Sequence, residues 1–185
     1  NGVAAAAACA VAALLAIRER REWRALIAPA LSPIGLIAFH VLLSRQAGER
    51  LVWFRVQREA WDEGLSFGWS AVQKIWTALH SPLSSPTSMF TLASVVAMLF
   101  MVWALWKVRL PAPMTAYTVV VLALMLLPAT VTARPRFLFT AFPLFIAFAA
   151  WWPNEREDEW TFVMAACGAG LVAVTAVYGA FGAIP

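Results

Sequence analysis

Four arginines, Arg55, Arg58, Arg134 and Arg136, stand between long apolar runs, and their type and spacing suit the gripping of an anion. A guanidinium presents a planar fork of donors that matches phosphate or pyrophosphate, so the four are candidates to hold a lipid-linked phosphate at a membrane surface. The alternative for Arg55 and Arg58 is structural, because Glu49, Glu59, Asp62 and Glu63 lie near enough in sequence to pair with them and headgroups could take the remainder. Arg134 and Arg136 differ. They sit in a turn of five residues, Thr132 to Arg136, between two apolar runs, with little room to reach bulk water. Ionisable groups near membrane depth cost about 2.5–3.5 kcal/mol when central, which makes such residues functional candidates.

The carboxylates on the same side are Glu49, Glu59, Asp62 and Glu63. Asp62 and Glu63 are neighbours that point apart on a helix, so a solvated polar stripe explains them as well as catalysis does. The sequence therefore names no catalytic base. His40 lies in an apolar run and His80 beside Ser-Pro turns, too isolated for a metal site, and each reads as a satisfied histidine. Cys9 and Cys167 read as small apolar residues. No phosphate-binding glycine loop, zinc motif or hydrolase serine motif is present, and no metal or cofactor is implied. The net charge of +4 comes from cations scattered at the ends of apolar runs, a pattern that argues against nucleic acid.

The elements that must position these residues are transmembrane helices. With 62% hydrophobic residues, 13% charged residues and a mean hydropathy of +0.74, lipid must solvate most of the surface. Measured against a hydrocarbon core that needs roughly 20 helical residues, the apolar runs predict spans near 2–17, 26–43, 89–106, 114–131, 137–152 and 161–184. The expected fold is all-α: one transmembrane domain over 1–185, a polytopic bundle of about six spans. The fourth and fifth spans form a tight hairpin or a partly re-entrant pair, the fifth carrying Pro143. Trp23, Trp103, Trp106, Trp151, Trp152 and Trp160 mark span ends. Ala165, Ala169 and Ala173 form a small-residue strip suited to helix packing.

Cations divide evenly between alternate loops, but four arginines crowd into 18–24, and the positive-inside rule assigns that short loop to the cytoplasm. The 44–88 loop and the Arg134/Arg136 turn then face outward. Within the long loop, Arg55, Arg58, Glu59 and Asp62 share a stripe opposite Trp53, Val56 and Ala60. After a break at Gly64 to Gly68, Trp69, Val72, Trp76 and Leu79 make a second apolar face. Two amphipathic helices lying in the outer interface are expected.

Three stretches in order, Leu31-Ser32-Pro33-Ile34-Gly35-Leu36, Trp53-Phe54-Arg55-Val56-Gln57 with Trp61, and Arg134-Pro135-Arg136-Phe137-Leu138-Phe139 leading to Phe142-Pro143-Leu144-Phe145, resemble membrane mannosyltransferases of the phosphatidylinositol-glycan class V type and their bacterial relatives. The likeness covers roughly residues 25 to 150. It implies a type C glycosyltransferase of a bacterial cell membrane, multi-pass, taking mannose from a polyprenyl-phosphate donor to a lipid or glycan acceptor on the outer face. It also implies that Arg55, Gln57 and Trp61 contact donor or acceptor and that Arg134 and Arg136 meet the donor phosphate. In that family the catalytic carboxylate lies in an early outward loop. No such segment precedes residue 25, and the chain opens on Asn1 directly into an apolar run, so a carboxy-terminal portion without its own base is expected. The competing readings are a lipid or glycan transporter that breaks no bond, and a membrane scaffold packed through the alanine strip.

Overall fold

Two prolines shape the second apolar run and show how this chain builds helices around its own breakers. The computed structural model describes residues 2–61, 64–127, 139–153 and 155–181. After α1 (Gly2–Arg20), a 3-10 turn (Trp23–Leu26), α2 (Ile27–Leu31) and α3 (Ile34–Ala47) follow one another as a single apolar stretch. Pro33 has no N–H with which to meet the Pro29 carbonyl four residues back, and the Ser32 hydroxyl donates to that oxygen instead at 3.1 Å. The stretch therefore bends at Ser32 without leaving a bare carbonyl in lipid. Gly48, at φ 67°, closes α3 in the left-handed conformation that glycine adopts without a steric penalty.

The long loop contains α4 (Val52–Trp61) and α5 (Trp69–His80), as the two apolar stripes predict, with Gly68 at φ 88° before the second. The membrane is re-entered by α6 (Pro86–Val108), whose start is well specified: Ser85 accepts from the Ser88 amide at 3.2 Å, and Pro86 occupies the first turn. The chain continues through α7 (Ala112–Leu126), α8 (Phe142–Trp151) and α9 (Glu157–Phe181).

Every regular element among the described residues is a helix. Three stretches, Gly2–Arg20, Trp23–Ala47 and Thr91–Val108, are long and apolar enough to cross a membrane, and they make this a membrane protein. The six-span expectation is met in that coarser form. Within expected span 114–131 the described helix is α7, which has 15 residues, about 22 Å of helix, and residues 128–131 lie outside the described set. Expected span 137–152 becomes the 10-residue α8, about 15 Å, because Phe139 to Ala141 form a turn and Pro143 sits in the first turn of the helix, where its missing N–H costs nothing. Residues 128–138 lie outside the described set.

Alanine-rich α1 lies along α7, α6 packs on α8, α5 on α6, α7 on α8, and α3 on α4. Small side chains at Ala4 and Ala13, both buried, let α1 approach its neighbour closely. The core joins Ala4 with Met101, Leu105, Val121, Met125, Ala141, Leu144 and Ala147. Ring pairs climb in step along α6 and α8, Phe100 with Phe148 at 5.8 Å and Trp103 with Trp151 at 5.1 Å, so these helices run in the same direction. Most of α9 is exposed, including Ala165, Ala169 and Ala173. Cys167 is exposed on it too, in contrast to the half-buried Cys9, so only Cys9 approaches the enclosed apolar role expected of both.

Candidate functional site

Of the four arginines, Arg55 has the best-defined surroundings, and both of its partners are carboxylates. It lies one turn into α4, with Glu49 in the turn before the helix and Glu59 one turn further on. Its Nε donates to Glu49 Oε1 at 2.9 Å and Oε2 at 3.0 Å, its Nη2 to Glu49 Oε2 at 2.7 Å, and its Nη1 to Glu59 Oε2 at 2.8 Å. The structural alternative is thus realised at Arg55. Two carboxylates around one guanidinium leave one net negative charge, which repels a phosphate but presents ordered acceptors to hydroxyl groups. Arg58 is exposed on the same helix and Gln57 is half-buried. Asp62, Glu63, Arg134 and Arg136 lie outside the described residues, as does the side chain of Trp61.

The Glu49 carboxyl is held below its ordinary range, chiefly by the hydrogen bonds from Arg55, with the guanidinium charge adding to them against slight desolvation; Arg55 is correspondingly raised. A carboxylate so stabilised is a poorer proton acceptor at neutral pH, so the cluster suits binding better than general-base work. Because the folded value lies below the unfolded one, whatever stability this ionised pair adds is present at neutral pH and is lost as pH falls through the folded value. Arg55→Ala is expected to return Glu49 to the usual carboxylate range in a carbon-13 NMR titration. An unmoved titration would show that the fork does not hold in solution.

Behind this cluster, α4 is fastened to α3 through an aromatic nest. His40 Nδ1 lies 2.9 Å from the Leu36 carbonyl and therefore carries a proton; Nε2 is buried without a partner among the described residues. The expected satisfied histidine is satisfied on one side only. Phe39, Trp53 and Phe54 surround it at ring distances of 5.3, 5.7 and 5.5 Å. The first two residues of the Trp53 to Gln57 motif thereby set the angle at which α4 leaves the hairpin, one turn from Arg55.

A second fastening joins this loop to the far end of α7. The Leu127 carbonyl accepts from the Ser66 amide at 3.0 Å and the Phe67 amide at 3.1 Å. Leu127 closes α7, so the chain enters residues 128–138 from beside the hinge between α4 and α5.

Compared with protein-family models, curated proteins and solved structures, the chain finds no match.

Around the hinge, α5 turns Ala71 and Ala78 toward α6 and leaves Trp69, Val72, Trp76 and Leu79 exposed, the two tryptophans at 64% each. This stripe is the apolar face read from the sequence. His80 Nδ1 returns to the Trp76 carbonyl at 2.9 Å, and its ring lies 4.4 Å from that indole, so it belongs to the end of the helix. No three His, Cys, Asp or Glu side chains gather as a metal site among the described residues. Trp152 and Trp160, expected only to mark span ends, stand eight positions apart on either side of Arg156 and Glu157, in a run whose charges read as a solvated loop.

Proposed function

We propose that the chain is a portion of a type C glycosyltransferase that moves mannose from a polyprenyl-phosphate donor to a lipid or glycan acceptor at the extracytoplasmic face of a bacterial membrane. One observation carries the reading: the Leu127 carbonyl is fastened to the Ser66 and Phe67 amides. The chain thus enters residues 128–138 beside Ser66 and Phe67, and the reading takes Arg134 and Arg136 to serve one ligand together with residues of the long loop. Within that reading Arg134 and Arg136, with Arg58, meet the donor phosphate. The Glu49 and Glu59 carboxylates, ordered by Arg55, meet sugar or acceptor hydroxyls, with Gln57 and Trp61 beside them.

A second reading, in which the same surface binds a lipid-linked sugar without breaking a bond, draws on the net negative charge of the Glu49–Arg55–Glu59 cluster and the low basicity of Glu49. Incubation of the full-length protein in membranes with radiolabelled polyprenyl-phosphate mannose separates the two. Transfer of label to an acceptor supports the enzyme, whereas retention of the intact donor without turnover selects the binder.

A further inference from the structure

At the junction of α8 and α9 lies an open cavity of about 460 Å³, lined chiefly by Trp152, Pro153, Arg156, Glu157, Trp160 and Thr161. That volume falls in the range of small-molecule sites. Its shape is held by the backbone. The Trp152 indole N–H donates to the Arg156 carbonyl at 3.2 Å, the same carbonyl takes the Trp160 amide at 3.0 Å, and the Arg156 amide reaches the Pro153 carbonyl at 3.1 Å. Phe148 supports both indoles at 5.5 and 5.8 Å, and the indoles stand 5.7 Å from each other.

The charges at the mouth have opposite sign and are only partly engaged. Arg156 gives Nη1 to Glu159 at 3.2 Å and keeps its other guanidinium donors, while Glu157 has no ion pair among the described residues. The level at which the cavity sits is marked by a continuous aromatic band. Phe100 and Trp103 of α6 meet Trp151 at 5.3 and 5.1 Å, and Lys107 lies over the rings of Trp103 and Trp106 at 5.9 and 5.3 Å. Indoles with a lysine among them at the shared end of two apolar helices are the signature of the headgroup layer. A ligand at that depth is an amphiphile with a polar head.

We propose that this cavity binds the headgroup of a zwitterionic phospholipid: the free donors of Arg156 take the phosphate, the Glu157 carboxylate takes the ammonium, and Trp152 and Trp160 flank the glycerol. Arg156 is shared with Glu159 and stands beside Glu157, so the mouth carries an excess of negative charge; an ammonium in the same molecule offsets that excess and lets the phosphate take the donors that Glu159 leaves, which a purely anionic headgroup cannot do. The site is independent of the arginines assigned to the sugar donor.

The test is native mass spectrometry of the full-length protein equilibrated with equal amounts of phosphatidylethanolamine and phosphatidylglycerol in detergent, and separately with soluble glycerophosphoethanolamine. Wild-type protein is expected to retain the zwitterionic lipid about fivefold over the anionic one; E157Q should erase that preference and R156Q should lower retention of both lipids by about fivefold. Equal retention of the two lipids by the wild type, or unchanged retention in both variants, overturns the proposal. So does binding of the soluble headgroup as tight as that of the lipid, which would make the ligand a soluble phosphoester.

Discussion

Under the proposed mannosyltransferase activity, replacing Arg134 and Arg136 together by alanine in the full-length protein is expected to cut transfer by about 10²-fold or more, with the larger part of the loss in kcat. The reasoning follows the charge. When the bond from sugar to phosphate breaks, the leaving phosphate gains negative charge, and a donor already fixed beside it stabilises the transition state more than the ground state. Ground-state grip on the donor phosphate would weaken too, and KM would rise, but by less. Lysine at both positions restores the charge without the planar fork, so partial recovery is expected. A double variant that transfers mannose at the wild-type rate would end the assignment of these arginines. A loss seen only in KM, with kcat intact, would mean that they bind donor and do no more.

How far the sequence disclosed this molecule depends on whether the deciding interaction is local. The break that ends at Gly68 was legible, because a glycine at positive φ acts within a few residues. The apolar stripe of α5 was legible for the same reason. Pro143 was read as a residue within a span, yet it opens α8, and deciding between those needs the neighbours that pack on it. The pairing of Arg55 with Glu49 and Glu59 was visible as an alternative, since all three lie within eleven positions. The Leu127 to Ser66 and Phe67 bonds were not, because about sixty residues separate the partners and backbone amides leave no mark on residue type. The cavity between Trp152 and Trp160 was hidden by its own acidic run, which resembles any solvated loop.

Leu144→Ala is expected to destabilise the bundle by about 2–5 kcal/mol, the range for emptying a closed apolar site, where lost contacts add to the cavity left behind. Leu144 is 0% exposed and is among the largest wholly enclosed side chains of the chain. It lies in the cluster that joins α6 through Met101 and Leu105 to α7 through Val121 and Met125. In lipid the distinction between buried and exposed leucine is sharp for a particular reason. An exposed leucine exchanges protein contacts for acyl chains at little cost, so association of helices rests on close packing and not on escape from water. Leu171→Ala on α9, where the side chain is 69% exposed, is therefore expected to change stability by only a few tenths of a kcal/mol. Unfolding of both variants in the same detergent measures the contrast, and equal losses would mean that α8 does not dock between α6 and α7. The consequence reaches the candidate site. Thr140, just before α8, accepts the Tyr117 hydroxyl at 3.2 Å, so the turn that leads out of residues 128–138 is tied to α7 at one end and to the Leu144 core at the other. Loosening that core should then lower the proposed mannosyl transfer as well as stability, whereas Leu171→Ala should leave both nearly unchanged.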